Sequence, residues 1–141
     1  SKIWSSKTKA LEVIKTYCKF NPLVKISKDD MFRLFDAHLP HEEIFNFFHE
    51  EGVDTVCLTL GSKGVKLSQK EEAIIELPAI KIEKVMDSTG AGDAFWSGFL
   101  FAYTQKKSMR ACLDVALKLA ALKLQNLGRL PDNINILSKL L

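Results

Sequence analysis

From Ala10 to Cys18 the apolar residues Ala10, Leu11, Val13, Ile14, Tyr17 and Cys18 recur at three- and four-residue spacing, the period of one helix face. Ser6 and Thr8 are candidate caps, and the helix should run to about Phe20, where Asn21-Pro22 stops it. Leu23 to Ile26 reads as a short strand leading into Ser27, a good N-cap with Asp30 at the capping-box position, so a helix is predicted from there to about Phe35. Another, carrying Ile44, Phe45, Phe47 and Phe48, should start at Pro40 or His41 and end at Gly52, a glycine C-cap. The period then changes. Asp54 to Leu60 is β-branched and almost continuously apolar, as buried parallel strands are. Gly61-Ser62-Lys63-Gly64 turns the chain into Val65-Lys66-Leu67, Ala73 to Leu77 is placed beside that strand as an antiparallel neighbour, and Lys81 to Val85 is a candidate further strand. Two helices follow, from Gly90 to about Gln105 and from Ser108 to Asn126. In the second, 12 of the 16 residues from Met109 to Leu124 are apolar, which leaves a narrow wet stripe. A last helix is predicted over Asn133 to Leu141.

This order of helices and strands is an α/β layout. Only two strands suit the middle of a parallel sheet, while the helices carry apolar surface enough to cover a larger one. The length, 141 residues, fits one domain or a piece of one. Lys and Arg number 20 against 17 Asp and Glu, a net charge of +3 with the basic residues scattered, so neither nucleic acid nor a membrane surface is an expected partner. Cys18, Cys57 and Cys112 are odd in number and lie far apart, which argues for reduced thiols and a cytoplasmic protein. The most apolar stretch, Ala94 to Thr104, is too short to span a bilayer. His38, His41 and His49 gather within 12 residues, but no Cys or tight acid pairing completes a zinc set around them. Trp4, Trp96 and the Phe45, Phe47, Phe48 group read as core rather than as a cofactor box.

The strongest chemical signal is Asp87-Ser88-Thr89-Gly90-Ala91-Gly92-Asp93-Ala94-Phe95. A glycine-rich turn at the head of a long buried helix presents free N–H groups and the positive end of the helix dipole, a site for a phosphate. Asp93, in the first helical turn, is placed to accept a proton from a hydroxyl attacking the bound phosphoryl group. The plain alternative is that Asp93 caps the helix and the glycines make a turn. Other phosphate loops fit worse. No Gly-Lys-Ser or Gly-Lys-Thr occurs, and Gly90-Ala91-Gly92 is followed at the third position by Phe95 where a dinucleotide fingerprint has Gly or Ala.

The run Asp87 to Leu100 (DSTGAGDAFWSGFL) resembles the C-terminal signature of the ribokinase-like (PfkB-type) carbohydrate kinases, with fructokinases the closest-looking group. Val56 to Leu67 is similar to the family's strand and turn beside the nucleotide, and Leu23 to Phe35 to the segment carrying its N-x-x-E motif; the resemblance spans roughly residues 3 to 131. It implies a three-layer, Rossmann-like α/β sandwich of which this chain holds the C-terminal portion, a partial, mostly parallel sheet flanked by helices. By that resemblance Asp93 is the catalytic base, and the amides of Gly90, Ala91 and Gly92 form the anion hole. Nucleotide contact carries over to Thr59, Gly61, Ser62, Gly64 and Thr89. A hairpin turn is the plain reading of Gly61 to Gly64.

The resemblance further implies ATP and a sugar as substrates, with Mg2+ and, in many members, K+. The N-x-x-E position reads Ser27-Lys28-Asp29-Asp30, leaving Asp30 as the magnesium candidate or as a cap. Asp87 is the candidate contributor to the K+ site or a turn residue. Leu117, Lys118 and Leu119 stand where many members place a small residue and an Asn against adenine. Members are about twice this long, so residues 1–141 read as one partial domain whose sugar-binding half and lid are absent and for which Ser1 is an interior start. Such a chain is expected to turn over sugar poorly alone and to associate with copies of itself or with an N-terminal half. The other reading is a non-catalytic nucleotide- or anion-binding fragment whose exposed sheet edge binds a partner chain.

Overall fold

The computed structural model describes residues 6–126 and 139–140. They form two compact units, one of the chain up to Gly61 with Val65–Glu76, the other of Ser62–Gly64 and the chain from Leu77 onward. Trp4 and most of the helix expected over Asn133 to Leu141 lie outside the described residues; Lys139 and Leu140 are helical.

In the first unit, α1 (Lys7–Cys18) starts at Ser6, whose hydroxyl accepts from Lys9 N at 3.2 Å. Thr8 lies within the helix. Asn21, at φ 48°, ends the turn after it and exchanges two hydrogen bonds with Asp54, of 2.6 and 2.8 Å, at the entry to β2 (Thr55–Thr59). β1 (Val24–Ser27) runs parallel to β2, pairing Val24 with Val56 and Ser27 with Thr59. α2 (Lys28–Phe35) and α3 (His41–Glu50) cover one face: Met31, Ile44, Phe45 and Phe48 pack with Cys18, Val53, Val56 and Leu58 into one buried cluster. Truncating Phe48 to Ala there should cost about 3–5 kcal/mol.

β3 (Val65–Gln69) returns antiparallel to β2, and β4 begins at Ile75, giving the order β1-β2-β3-β4. The sheet is mixed where a mostly parallel one was expected. The reason is local, since five residues join Thr59 to Val65 through the 3-10 turn Gly61–Lys63, and a connection so short permits only an antiparallel return. The His49 ring fastens α3 to β3, its Nδ1 2.8 Å from Val53 O and its Nε2 2.9 Å from Ser68 Oγ. Because a carbonyl only accepts, Nδ1 carries the proton it donates to Val53.

The second unit is built on α4 (Ala91–Thr104) and α5 (Met109–Leu124). They pack through Gly98, where a Cβ would lie 3.0 Å from Ala116 Cα and 3.1 Å from Val115 O, flanked by buried Phe95, Phe99, Leu113 and Leu119. Trp96 is half-buried and stacks on Phe99 at 5.0 Å. The strand expected at Lys81 to Val85 does not form. Ile80, Val85 and Met86 are exposed, so nothing among the described residues covers the apolar positions of this segment, and its Met86 N–H bonds to Leu124 O at the end of α5 instead of to a ladder. All three cysteines are buried free thiols; burial pushes Cys57 up to about 12, and raises Cys18 and Cys112 as well, so none is poised as a thiolate. No helix among the described residues is long and apolar enough to cross a membrane.

Candidate active site

The signature folds into a turn and a helix head held from one side. Asp87 Oδ1 accepts from Thr89 N at 2.9 Å, while Asp87 Oδ2 lies 3.4 Å from Lys123 Nζ. Hydrogen bonding from Thr89 above all, and Lys123 after it, hold the Asp87 carboxyl below its ordinary range. Gly90 then adopts φ 76° as the N-cap of α4, a left-handed conformation that glycine enters without steric cost. It offers no capping side chain. Gly92 is helical and exposed, so of the two glycines only Gly90 is required by backbone angle.

Of the three amides expected to face an anion, Ala91 N–H donates to Ser88 O at 3.2 Å, a long bond. Those of Gly90 and Gly92 meet no acceptor among the described residues, and neither does the amide of Asp93 itself. The Asp93 side chain is exposed and likewise without a partner among them. An anion at this helix head would therefore find unmatched N–H groups beside a free carboxylate.

The nucleotide candidates of the first unit, Thr59 and Gly61, lie at and just beyond the carboxyl end of β2, where ligands of open α/β sheets bind. Ser27 and Thr59 are register partners there, and the Thr59 hydroxyl donates to Ile26 O at a long 3.5 Å. Asp30 sits one helical turn beyond Ser27. Its Oδ2 accepts from Ser27 N at 3.2 Å and from Ser27 Oγ at 2.6 Å, while Asp30 N donates to Ser27 Oγ, a complete capping box. Gly61, at φ 60°, faces open space next to exposed Ser62. Gly64 is different. It is buried at φ 101°, and a Cβ on it would run into Leu77 O and come within 2.8 Å of Pro78, so this position is fixed by close backbone packing.

The sequence matches the profile of the pfkB family carbohydrate kinases over residues 2–134. The chain belongs to this family. It is 33% identical over 132 residues to the ATP-dependent 6-phosphofructokinase of Thermoanaerobacterium thermosaccharolyticum, a match covering 94% of this chain and 40% of the relative. Its fold is that of the ribokinase of Arabidopsis thaliana complexed with ribose and ATP (TM-score 0.73, 31% identity, 84% of this chain and 40% of that one). It is also that of the Salmonella enterica aminoimidazole riboside kinase complexed with aminoimidazole riboside and an ATP analog (TM-score 0.82, 26% identity, 99% and 48%). The chain thus spans less than half the length of these pfkB relatives.

Within this pfkB chain the donor sets differ in what they can hold. Among the described residues no three His, Cys, Asp or Glu converge, so a metal ion held entirely by protein side chains does not fit. Asp30 as a single carboxylate does fit a magnesium ion that keeps waters and is otherwise held by phosphates. Asp87 does not present a vacant carboxylate, because an ammonium already stands beside it. On α5, Lys118 pairs with Asp114 at 2.6 Å and Leu119 is buried. Lys123 is the residue that motif reading misses: it lies 36 positions from Asp87. One signal was there. Cys112, Ala116, Leu119 and Lys123 share the inward stripe of α5, and all four are buried, so a lysine stood in a core position.

Proposed function

We propose that this chain is the phosphoryl-transfer half of a cytoplasmic, ATP-dependent sugar kinase, fructokinase-like in its acceptor, with residues 1–141 forming one partial domain. The observation that carries the reading is the head of α4, where unbonded amides of Gly90 and Gly92 adjoin the unpaired Asp93 carboxylate. Asp93 takes the proton of the sugar hydroxyl as its oxygen forms a bond to the γ-phosphorus and the bond from that phosphorus to the β-bridging oxygen breaks, releasing ADP. The Gly90 and Gly92 amides hold the charge on the transferring oxygens, and Ala91 joins them by giving up its long bond to Ser88. Thr59, Gly61, Ser62 and Thr89 contact the nucleotide. Magnesium, when bound, supplies neutralisation of the β- and γ-phosphate charge, and Asp30 is the side chain that holds its waters.

One observation favours a second, compatible reading. β1 is outermost in the sheet, and Tyr17, Phe20 and Phe32 are exposed at 66%, 79% and 41%. An N-terminal half, or a second copy, pairs with this edge; light scattering with and without a separately expressed N-terminal half reads that directly.

The kinase test is ATP titration by calorimetry with the chain, and phosphoryl transfer to fructose and ribose by the complete product of its reading frame. Saturable ATP binding lost in Gly92→Val, and transfer lost in Asp93→Asn, are expected. Transfer that survives Asp93→Asn removes the base, and binding that survives Gly92→Val removes the anion hole.

A further inference from the structure

Lys123 places a cation inside the second unit that the reaction as described does not use. The residue is 7% exposed, and its side chain emerges from the inward stripe of α5 otherwise made of Cys112, Ala116 and Leu119. Lysine is rarely buried this far unless paired. Its Nζ lies 3.4 Å from Asp87 Oδ2, and its Cε is 3.7 Å from the point a Cβ on Gly90 would occupy, so the side chain runs along the signature turn itself. The turn is fastened to the same end of α5 by the Met86 N–H bond to Leu124 O, 2.8 Å, one residue from Asp87 and one from Lys123.

A site for phosphate poses a problem at this place. Asp87 is a carboxylate three residues before the anion-binding amides, and unless neutralised it repels the ligand. Thr89 supplies a hydrogen bond to it but no charge. The resemblance to ribokinase-like kinases would assign the neutralising charge to a monovalent metal ion. Here the chain itself already brings an ammonium to the carboxylate, and a metal ion added at the same oxygen would stand against that like charge. The tethered ammonium also has three N–H donors. Asp87 takes one, and no other acceptor among the described residues takes the rest.

We infer that Lys123 is the built-in cation of the signature turn, a positioning residue that neutralises Asp87, and that nucleotide binding in this protein is independent of monovalent metal ions. This rests on the kinase reading for its consequence and on the Lys123–Asp87 geometry for its cause.

The experiment is ATP titration at constant ionic strength in tetramethylammonium, sodium and potassium chloride, with thallium NMR as a separate reading of monovalent-ion uptake. Wild-type affinity should be the same in all three salts. Lys123→Met should lose about tenfold in tetramethylammonium, as expected for one charge-assisted contact, and regain it in potassium. Lys123→Arg should stay salt-independent. A lysine serving only to hold the helices together would lower the unfolding temperature of Lys123→Met without any such potassium rescue, and that result overturns the inference. So does potassium-enhanced ATP binding by the wild type, or saturable one-to-one thallium uptake by it. Thallium taken up by Lys123→Met and refused by wild type supports the inference even if neither protein binds ATP, in which case the kinase reading alone fails. Should Lys123→Met not fold, the wild-type thallium and salt titrations still decide: refusal and salt-independence support it, uptake overturns it.

Discussion

Asp30 and Asp93 occupy the same position, third residue of the helix, in α2 and α4, and the structure bonds them differently. Asp30 closes a capping box on Ser27, one oxygen taken by the Ser27 amide and hydroxyl. Asp93 has no such partner, because the residue three before it is Gly90, which has no side chain and whose left-handed backbone does not form the box. The N-cap residue thus decides whether a first-turn carboxylate is tied to the helix or left unbonded. Ser27 tightens one helix head, whereas Gly90 keeps the other open.

The comparison breaks most sharply on Asp93→Asn where, on the proposed kinase reading, kcat should fall about a hundred- to ten-thousand-fold with the thermal midpoint unmoved, since the carboxylate binds nothing among the described residues. An unchanged kcat would return Asp93 to the status of Asp30. Next, Gly90→Ser builds the Ser27 arrangement into α4. A side chain strained by about 1–2 kcal/mol at φ 76°, read in urea unfolding, should turn the cap toward the extended backbone that Ser27 adopts, where the box on Asp93 closes and ATP binding weakens; full affinity in this variant would show that the cap is not what separates the two helices. At α2, Ser27→Ala or Asp30→Ala should each cost about 1 kcal/mol, and the double variant should cost less than their sum because both act in one network. ATP affinity in magnesium unaltered by Asp30→Ala would leave Asp30 with the cap alone.

The smallest effect concerns pH. Asp87 is held below its ordinary range by Thr89 and Lys123, so it stabilises the fold above the unfolded-state value and loses that contribution as acid protonates the folded carboxylate. Asp87→Asn should therefore be less stable than wild type near neutrality, and the two urea curves should converge as the pH falls through and below the ordinary carboxylate range. A gap of constant size across that range would mean that Asp87 acts through shape and not charge.

Much of this was legible in the chain. The capping box at Ser27 and Asp30, the glycine cap of α4 and the bounds of α1 to α5 follow from local rules, because caps and helical periods are set by residues within one turn of each other. The expected strand at Lys81 to Val85 failed for want of a buried face, which depends on what packs against it. The antiparallel return of β3 agrees with the hairpin turn that Gly61 to Gly64 plainly reads as, whereas the mostly parallel sheet implied by the resemblance is not what the four strands form. Gly64 read as a nucleotide glycine in the motif, but its place is also dictated by the backbone of Leu77 to Ala79, which crosses above it.

What the sequence by itself determined was the chemistry available at one place: a glycine turn, a helix and an aspartate at fixed short spacing, whose geometry is governed by backbone angles and hydrogen bonds inside a dozen residues. Only the tertiary structure decided which groups are free. The Ser27 cap that ties Asp30 is local, but no spacing rule tells that the Asp93 carboxylate meets no other side chain among the described residues, and Lys123 meets Asp87 across 36 residues because α5 packs on α4 through Gly98. Local spacing cannot report a contact that exists only when two helices have closed on each other.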